Sequence, residues 1–310
     1  MWMAGVAVLL REAPSVAELE AALAGRAIVK RVTAEPSGMG GSFGLVVPMR
    51  PEVNGYVVVD LFARAWPDDF GDEARDPVLF GGWTLGFFGP FAYPGGLARA
   101  VAHAYAFPGA AAAVAAHRAC VRVRASYVLG AAKGAPVAPA DYDAEAELRF
   151  VTEIALAVAA LPTATAYFDP SGERLLDRAE LAASLAHADA HDLAPLDAWT
   201  NVRLFGVDGK HSMMDTVGLA QLGEVDHEAW FARGTVEPDD VARWLRNLTA
   251  YVHGGVAIED GHTADGPGGA KWRAERVAEG ASAPPRPVVR WCAEGASPPW
   301  PARAASEPGR

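Results

Sequence analysis

The sequence has few cysteines, no long apolar run and fewer basic than acidic residues. Its 310 residues include only Cys120 and Cys292, whereas a secreted domain stabilised by disulfides carries more cysteines. No apolar run approaches the ~18 residues that a membrane-spanning helix needs. The formal net charge of -11 disfavours a nucleic-acid partner, because such proteins usually present a basic face to the phosphate backbone. We therefore expect a cytoplasmic protein with neither a membrane nor a nucleic-acid partner.

Hydrophobic residues make up 51% of the chain and charged residues 21%, which is typical of a globular protein. The length leaves room for one large domain or two of ordinary size. The apolar segment 6–10 is too short for the core of a signal peptide and no Lys or Arg precedes it. It therefore predicts a first β-strand.

The first half of the chain predicts the element order β-α-β-β-α-β with one extra strand. Ser15 and Glu18 form a capping box at the start of the first helix. Residues 97–116 predict a helix that is broken near Pro108. The strict alternation of valine and arginine over residues 121–124 predicts a strand with one solvent-facing side.

The second half predicts the same order. A strand at residues 164–168 precedes a helix that begins with the capping box of Asp177 and Glu180. A helix that begins near Pro238 and a final strand at residues 256–259 complete the half.

The predicted fold class is therefore α+β, with two ferredoxin-like (βαββαβ) halves that have antiparallel sheets and helices packed on one face. The N-terminal half spans residues 1–135 and includes a long aromatic-rich loop at 63–96. The C-terminal half spans residues 136–292, and residues 293–310 predict a mobile tail.

The segment between Trp66 and Gly96 is the main candidate for a binding surface. Its aromatic rings alternate with glycine, proline and aspartate, and a connection of this length is uncommon unless it is functional or folded on itself. One interpretation is an aromatic-lined pocket or partner surface, with an anion at the double glycine before a helix. The alternative is a loop whose rings pack into the core. The candidate binding residues are Trp66, Asp68, Phe91, Tyr93, Gly95, Gly96 and Arg99.

Two groups of histidines and aspartates have the composition of a metal site. His187 and His191 have i, i+4 spacing near Asp189 and Asp192, but the glutamate that follows the first histidine in zinc proteases is missing, which favours a solvated helix end. The second group predicts a divalent-metal or acid–base site if its strand ends meet, although ordinary turns explain its Asp-Gly pairs. Its members are His211, Asp215, Asp260 and His262, with Asp265 nearby.

Several segments together resemble the bacterial family catalogued as domain of unknown function 4261. The resemblance spans roughly residues 14–292 and implies no particular activity, cofactor or catalytic residue. The segments that carry it are WPDDFGD (66–72), FGPFAYPGGL (88–97), SYVLG (126–130), YFDPSGE (167–173), NVRL (201–204), MDTVGL (214–219) and DGHT (260–263).

The favoured functional hypothesis is a non-enzymatic binding or protein-interaction module without a cofactor. No nucleophile elbow, phosphate loop or dinucleotide pattern is found, and Cys120 is expected to be buried and inert. Another bacterial protein would fit the acidic charge as a partner. The alternative is a metal-assisted hydrolase that uses His211, Asp215, Asp260 and His262.

Overall fold

The computed structural model describes residues 1–33 and 42–295. Over these residues the chain divides into two compact units. Unit 1 contains Met1–Asn201 and the short segment Gly218–Gly223, and unit 2 contains Val202–Val217 and residues 224–295. The predicted mobile tail lies almost wholly outside the described residues. No helix in the described part of the chain is long and apolar enough to cross a membrane.

Unit 1 is built on a seven-stranded sheet in which neighbouring strands are antiparallel. Its strands are β1 (Ala4–Leu10), β2 (Lys30–Thr33), β3 (Phe43–Arg50), β4 (Gly55–Phe62), β5 (Ala119–Ser126), β6 (Ala164–Asp169) and β7 (Arg174–Leu176). They lie across the sheet in the order β2-β3-β4-β5-β1-β6-β7.

The helices of unit 1 cover both faces of this sheet. They are α1 (Val16–Ala22), α2 (Pro77–Thr84), α3 (Gly96–Ala102), α4 (Ala110–Ala116), α5 (Ala144–Val158), α6 (Arg178–His191) and α7 (Leu196–Trp199). The capping boxes predicted for α1 and α6 are both present. Leu19, Ile154 and Leu181 belong to the core on one face, while Leu79 and Leu97 belong to a second core on the other.

Unit 2 is built on a six-stranded mixed sheet and one long helix. Its elements are β8 (Asn201–Gly206), β9 (His211–Val217), β10 (Asp226–Ala232), α8 (Pro238–His253), β11 (Thr263–Asp265), β12 (Lys271–Val277) and β13 (Val288–Ala293). The strand order is β11-β12-β13-β10-β9-β8, and β10 and β13 are parallel. Val241, Leu245 and Leu248 of α8 share a core with Trp272 and Trp291.

The α+β class is confirmed, whereas the two ferredoxin-like halves are not. We expected residues 164–168 to open a second sheet, but β6 pairs with β1 and extends the first sheet. The main division of the chain lies at Asn201/Val202 rather than near residue 135. Residues 256–259 form no strand. Hydrophobic periodicity identifies a strand without specifying its neighbour, because an apolar face is buried equally well in either sheet.

Candidate binding groove

Among residues 1–33 and 42–295, no helix covers the second face of the unit 1 sheet at its β2–β3–β4 end. Side chains alternate between faces along a strand, so one in two residues of β3, β4 and β5 points to this side. Two rows of directly opposed residues cross the strands here. One row is Lys30, Val46, Val58 and Arg124, and the other is Val32, Gly44, Asp60 and Arg122.

All residues of these rows except Arg122 line an open cavity of about 600 Å³, which we call the groove. That volume is in the range of pockets that hold small molecules. Asp60 and Arg124 contribute charged side chains to it, and Lys30 lies at its edge strand. The apolar part of the lining includes Val32, Phe43, Val46, Tyr56, Val58 and Leu129.

Asp60 binds two arginines beneath the groove. Arg122 donates to its Oδ2 atom through Nε (3.1 Å) and also through Nη2, and Arg124 donates to Oδ1 through Nη2 (2.7 Å). Burial by itself raises the pKa of Asp60, but the charges and hydrogen bonds of Arg124 and Arg122 lower it below its usual value. The carboxylate is therefore ionised and its single charge is shared between two guanidinium groups.

Of the two arginines that bind Asp60, Arg124 is the one that lines the groove. It is 4% exposed, and its Nη1 atom donates to the Phe87 carbonyl at 2.8 Å. The indole of Trp2 lies 3.9 Å from the guanidinium carbon, a cation–π contact. Burial lowers the pKa of Arg124 to about 10, although Asp60 opposes the shift. Within the part of the chain that the structure describes, the Nε atom of Arg124 is buried without a hydrogen-bond partner.

Neither the composition nor the periodicity of the sequence predicted this site. We expected Arg122 and Arg124 to face solvent, but they are 1% and 4% exposed. Strict alternation shows that a strand has one polar side, without showing whether water or a buried counter-charge lies there. The sequence does contain one signal: Asp60 is a lone acid inside the apolar strand β4, and its charge is opposite to that of the two arginines of β5.

The aromatic segment 66–96 divides into buried and exposed rings. Trp66 is 5% exposed and packs edge-to-face against Trp83, Phe88 and Phe168, so it belongs to the core. Phe91 and Tyr93 remain 51% and 40% exposed. Their contact with a partner stays a prediction.

The anion site expected at Gly95 and Gly96 is occupied by the protein itself. The carboxylate of Asp68 accepts hydrogen bonds from the amides of Leu97 (2.8 Å) and Ala98 (2.7 Å) in the first turn of α3. Burial raises the pKa of Asp68, opposed by these two amides. Arg99 donates to the buried carboxylate of Glu173 through Nε at 2.8 Å.

Asp215 lies in a buried ion network rather than at a metal site. Arg203 donates to both of its carboxylate oxygens, at 2.9 and 2.6 Å, and Arg286 donates to Oδ2 at 2.7 Å. Ser282 also donates to this carboxylate. Burial raises the pKa of Asp215, but the charges of Arg203 and Arg286 outweigh it and lower the pKa. These partners use the oxygens that a metal would need.

The other three members of the proposed metal group each have local partners. His211 pairs with Asp208 through Nδ1 at 3.0 Å. Asp260 accepts the backbone amide of Arg276 and lines one cavity of unit 2, while His262 lines a different one. No group of three or more potential ligands within residues 1–33 and 42–295 could hold a metal ion.

The histidines and aspartates at the end of α6 make contacts that are typical of a helix terminus. The rings of His187 and His191 stack with centroids 4.3 Å apart, and the carboxylate of Asp189 pairs with Arg149 at 2.7 Å. Asp192 caps the helix with a left-handed backbone. The structure assigns these residues local contacts with the helix and its neighbour α5.

Comparison with known proteins identifies one family. The model of the family described as "Domain of unknown function (DUF4261)" matches residues 215–292, which confirms the resemblance over that part of the chain. No curated protein and no solved structure matches the chain. The matched residues include Asp215 and Arg286 of the buried network, whereas the groove lies outside them, in unit 1.

Proposed function

We propose that the chain is a cytoplasmic, non-enzymatic binding module whose N-terminal unit takes a small apolar molecule in the groove. The observation that carries this proposal is an open apolar cavity of about 600 Å³ over a buried, charged sheet surface. Binding sites of this size combine apolar walls with a few polar groups that orient the ligand. The groove has both: valine and aromatic walls, and Arg124 with Asp60 in the floor.

A neutral apolar fluorescent probe, N-phenyl-1-naphthylamine, tests the proposal without requiring a particular ligand charge. We expect saturable binding with enhanced fluorescence, because the probe leaves water for the apolar walls. Val58 lines the groove from β4. We expect Val58→Trp to weaken probe binding by at least about tenfold, because the larger ring fills space that the probe needs.

The matched control is Val78→Trp on α2. Val78 is 40% exposed and does not line the groove, so this variant should bind the probe as the unchanged protein does. Circular dichroism establishes that both variants fold. Absence of saturable binding, or equal binding by the two variants, contradicts the proposed function.

A further inference from the structure

The charges at the groove favour a ligand of one sign. Lys30 and Arg124 are basic, and Asp60 is the one acid among the described residues that line the groove. Asp60 already accepts hydrogen bonds from Arg122 as well as Arg124. The groove therefore presents local positive charge on a chain whose net charge is -11. Charge complementarity selects an anion here.

Arg124 also has an unused donor. Its Nη1 and Nη2 atoms bind Phe87 and Asp60, while Nε has no hydrogen-bond partner in the described residues. A buried N–H group without an acceptor is costly, and a bound carboxylate oxygen would remove that cost. The indole of Trp2 stacks on the guanidinium and also lines the groove.

The apolar walls of the groove determine which kind of body the anionic ligand can have. Val32, Val46 and Val58 offer no polar side-chain atom, and Phe43 and Leu129 continue the apolar surface. A highly charged anion such as a nucleotide would leave most of its polar groups without partners against these walls. A single acidic head on an apolar body satisfies both parts of the groove.

We propose that the groove binds a monocarboxylic acid with an apolar body, its carboxylate held by Arg124 and its body lying over Val46 and Val58. This proposal rests on the proposed function, because it names the ligand class of the same groove. The carboxylate would occupy the Nε donor and offset the positive charge. Burial lowers the pKa of Arg124 to about 10, which is still well above 7, so the side chain is protonated at neutral pH.

Displacement of N-phenyl-1-naphthylamine by three ligands of equal chain length tests the proposal at pH 7. These ligands are octanoate, 1-octanol and octylammonium, which differ mainly in head-group charge. We expect octanoate to displace the probe at a concentration about tenfold lower than 1-octanol, because it gains a charge-assisted hydrogen bond. Octylammonium should be the weakest of the three. Equal displacement by all three, or strongest displacement by octylammonium, overturns the proposal.

Arg124→Met identifies the residue responsible. Asp60 keeps Arg122 as its partner in this variant, so the buried carboxylate remains paired. We expect octanoate to lose its advantage while 1-octanol binds within about twofold of its original affinity. The matched control is Arg149→Met, at an arginine that pairs with Asp189 outside the groove. This variant should keep the full preference, and an equal loss in both variants overturns the role of Arg124.

The two proposals fail in different ways. If the probe binds and Val58→Trp blocks it, but octanoate has no advantage over 1-octanol, the groove is a binding site and the assigned ligand class is wrong. If neither the probe nor octanoate binds, both proposals are wrong. The three-ligand comparison uses the unchanged protein, so it decides the ligand class even if Arg124→Met does not fold.

Discussion

The carboxylate of Asp60 supplies the counter-charge that allows Arg122 and Arg124 to be buried. Asp60, Arg122 and Arg124 are all less than 5% exposed, so none of the three charges is well hydrated. Removing one member of a buried ion pair leaves its partner charged and desolvated, which costs far more than the pair itself contributes. Two guanidinium groups would be left without their shared counter-charge if Asp60 were neutral.

We expect Asp60→Asn to lower the free energy of unfolding by about 3–5 kcal/mol, because it leaves Arg122 and Arg124 without a buried anion. The measurement is urea denaturation at pH 7. The matched control is Asp189→Asn, at an exposed aspartate that pairs with Arg149 at 2.7 Å. Exposed ion pairs contribute about 0–1 kcal/mol. Similar losses in the two variants would contradict the importance of burial.

At the scale of single elements, α3 illustrates a helix that is capped from a distant point in the chain. Its own N-cap residue is Gly95, which has a positive φ of 76° and no side chain that can accept a hydrogen bond. Asp68 supplies the missing acceptor to two amides of the first turn. The seven-residue helix is too short to be stable alone, so this contact fixes where it begins.

We expect Asp68→Ala to cost about 1 kcal/mol of stability, the usual effect of removing a capping side chain. Asp69→Ala is the neighbouring control, because the Asp69 side chain only accepts the amide of Gly71 within an exposed turn. Urea denaturation measures the free energy, and hydrogen exchange of residues 97–100 should show faster opening in Asp68→Ala alone. Unchanged exchange at these residues would contradict the capping role.

Elements whose signals are local could be predicted from the sequence. The capping boxes at Ser15 and Asp177 lie within four residues of the helices that they start, and both are present. Pro238 and the acidic first turn mark the start of α8 in the same way. Strand pairing is not local: the partner of β1 on one side is β5, more than a hundred residues away. Element order alone therefore predicted the wrong neighbours for residues 164–168.

The groove was harder to predict than the fold, because its residues come from distant strands. Asp60 and Arg122 are directly opposed across β4 and β5, yet they are 62 residues apart in sequence. The aromatic composition of residues 66–96 predicted a binding role for Trp66, but its ring packs in the core. Nothing in a single sequence distinguishes a ring that fills a core from one that contacts a ligand.

At the scale of the whole molecule, the two units contain buried groups that titrate in opposite ways. In unit 1, burial raises the pKa of Asp169 from 3.8 to about 7, opposed by hydrogen bonds from Gln221 and from the amides of Gly172 and Ser171. In unit 2, burial lowers the pKa of His227 from 6.5 to about 4. Asp169 therefore keeps a proton in folded unit 1 at pH values where it has lost that proton in the unfolded chain. His227 is neutral in folded unit 2 at pH values where it is protonated in the unfolded chain.

The two units should respond to pH in opposite directions. Between pH 4 and 7, Asp169 makes unit 1 less stable as the pH rises, because the native state binds more protons than the unfolded state. His227 makes unit 2 less stable as the pH falls from about 6.5 to about 4. Hydrogen exchange with mass spectrometry, converted to opening free energies at pH 5 and 7.5, should show β6 weakening and β10 strengthening at the higher pH.

Two substitutions provide the controls for this prediction. Asp169→Asn should flatten the response of unit 1 and leave that of unit 2 unchanged, and His227→Gln should do the reverse. If β6 and β10 shift in the same direction in the unchanged protein, the opposed titration is wrong.

Because Gly218–Gly223 belongs to unit 1, the last residues of unit 1 are synthesised after the first strands of unit 2. Gln221, which donates to Asp169 at 2.8 Å, follows β8 and β9 of the second unit in the chain. A ribosome therefore makes two strands of unit 2 before it makes the residue that completes the polar interior of unit 1. Although domains generally fold from the N-terminus during translation, unit 1 reaches its full set of native contacts only after residue 223 has emerged.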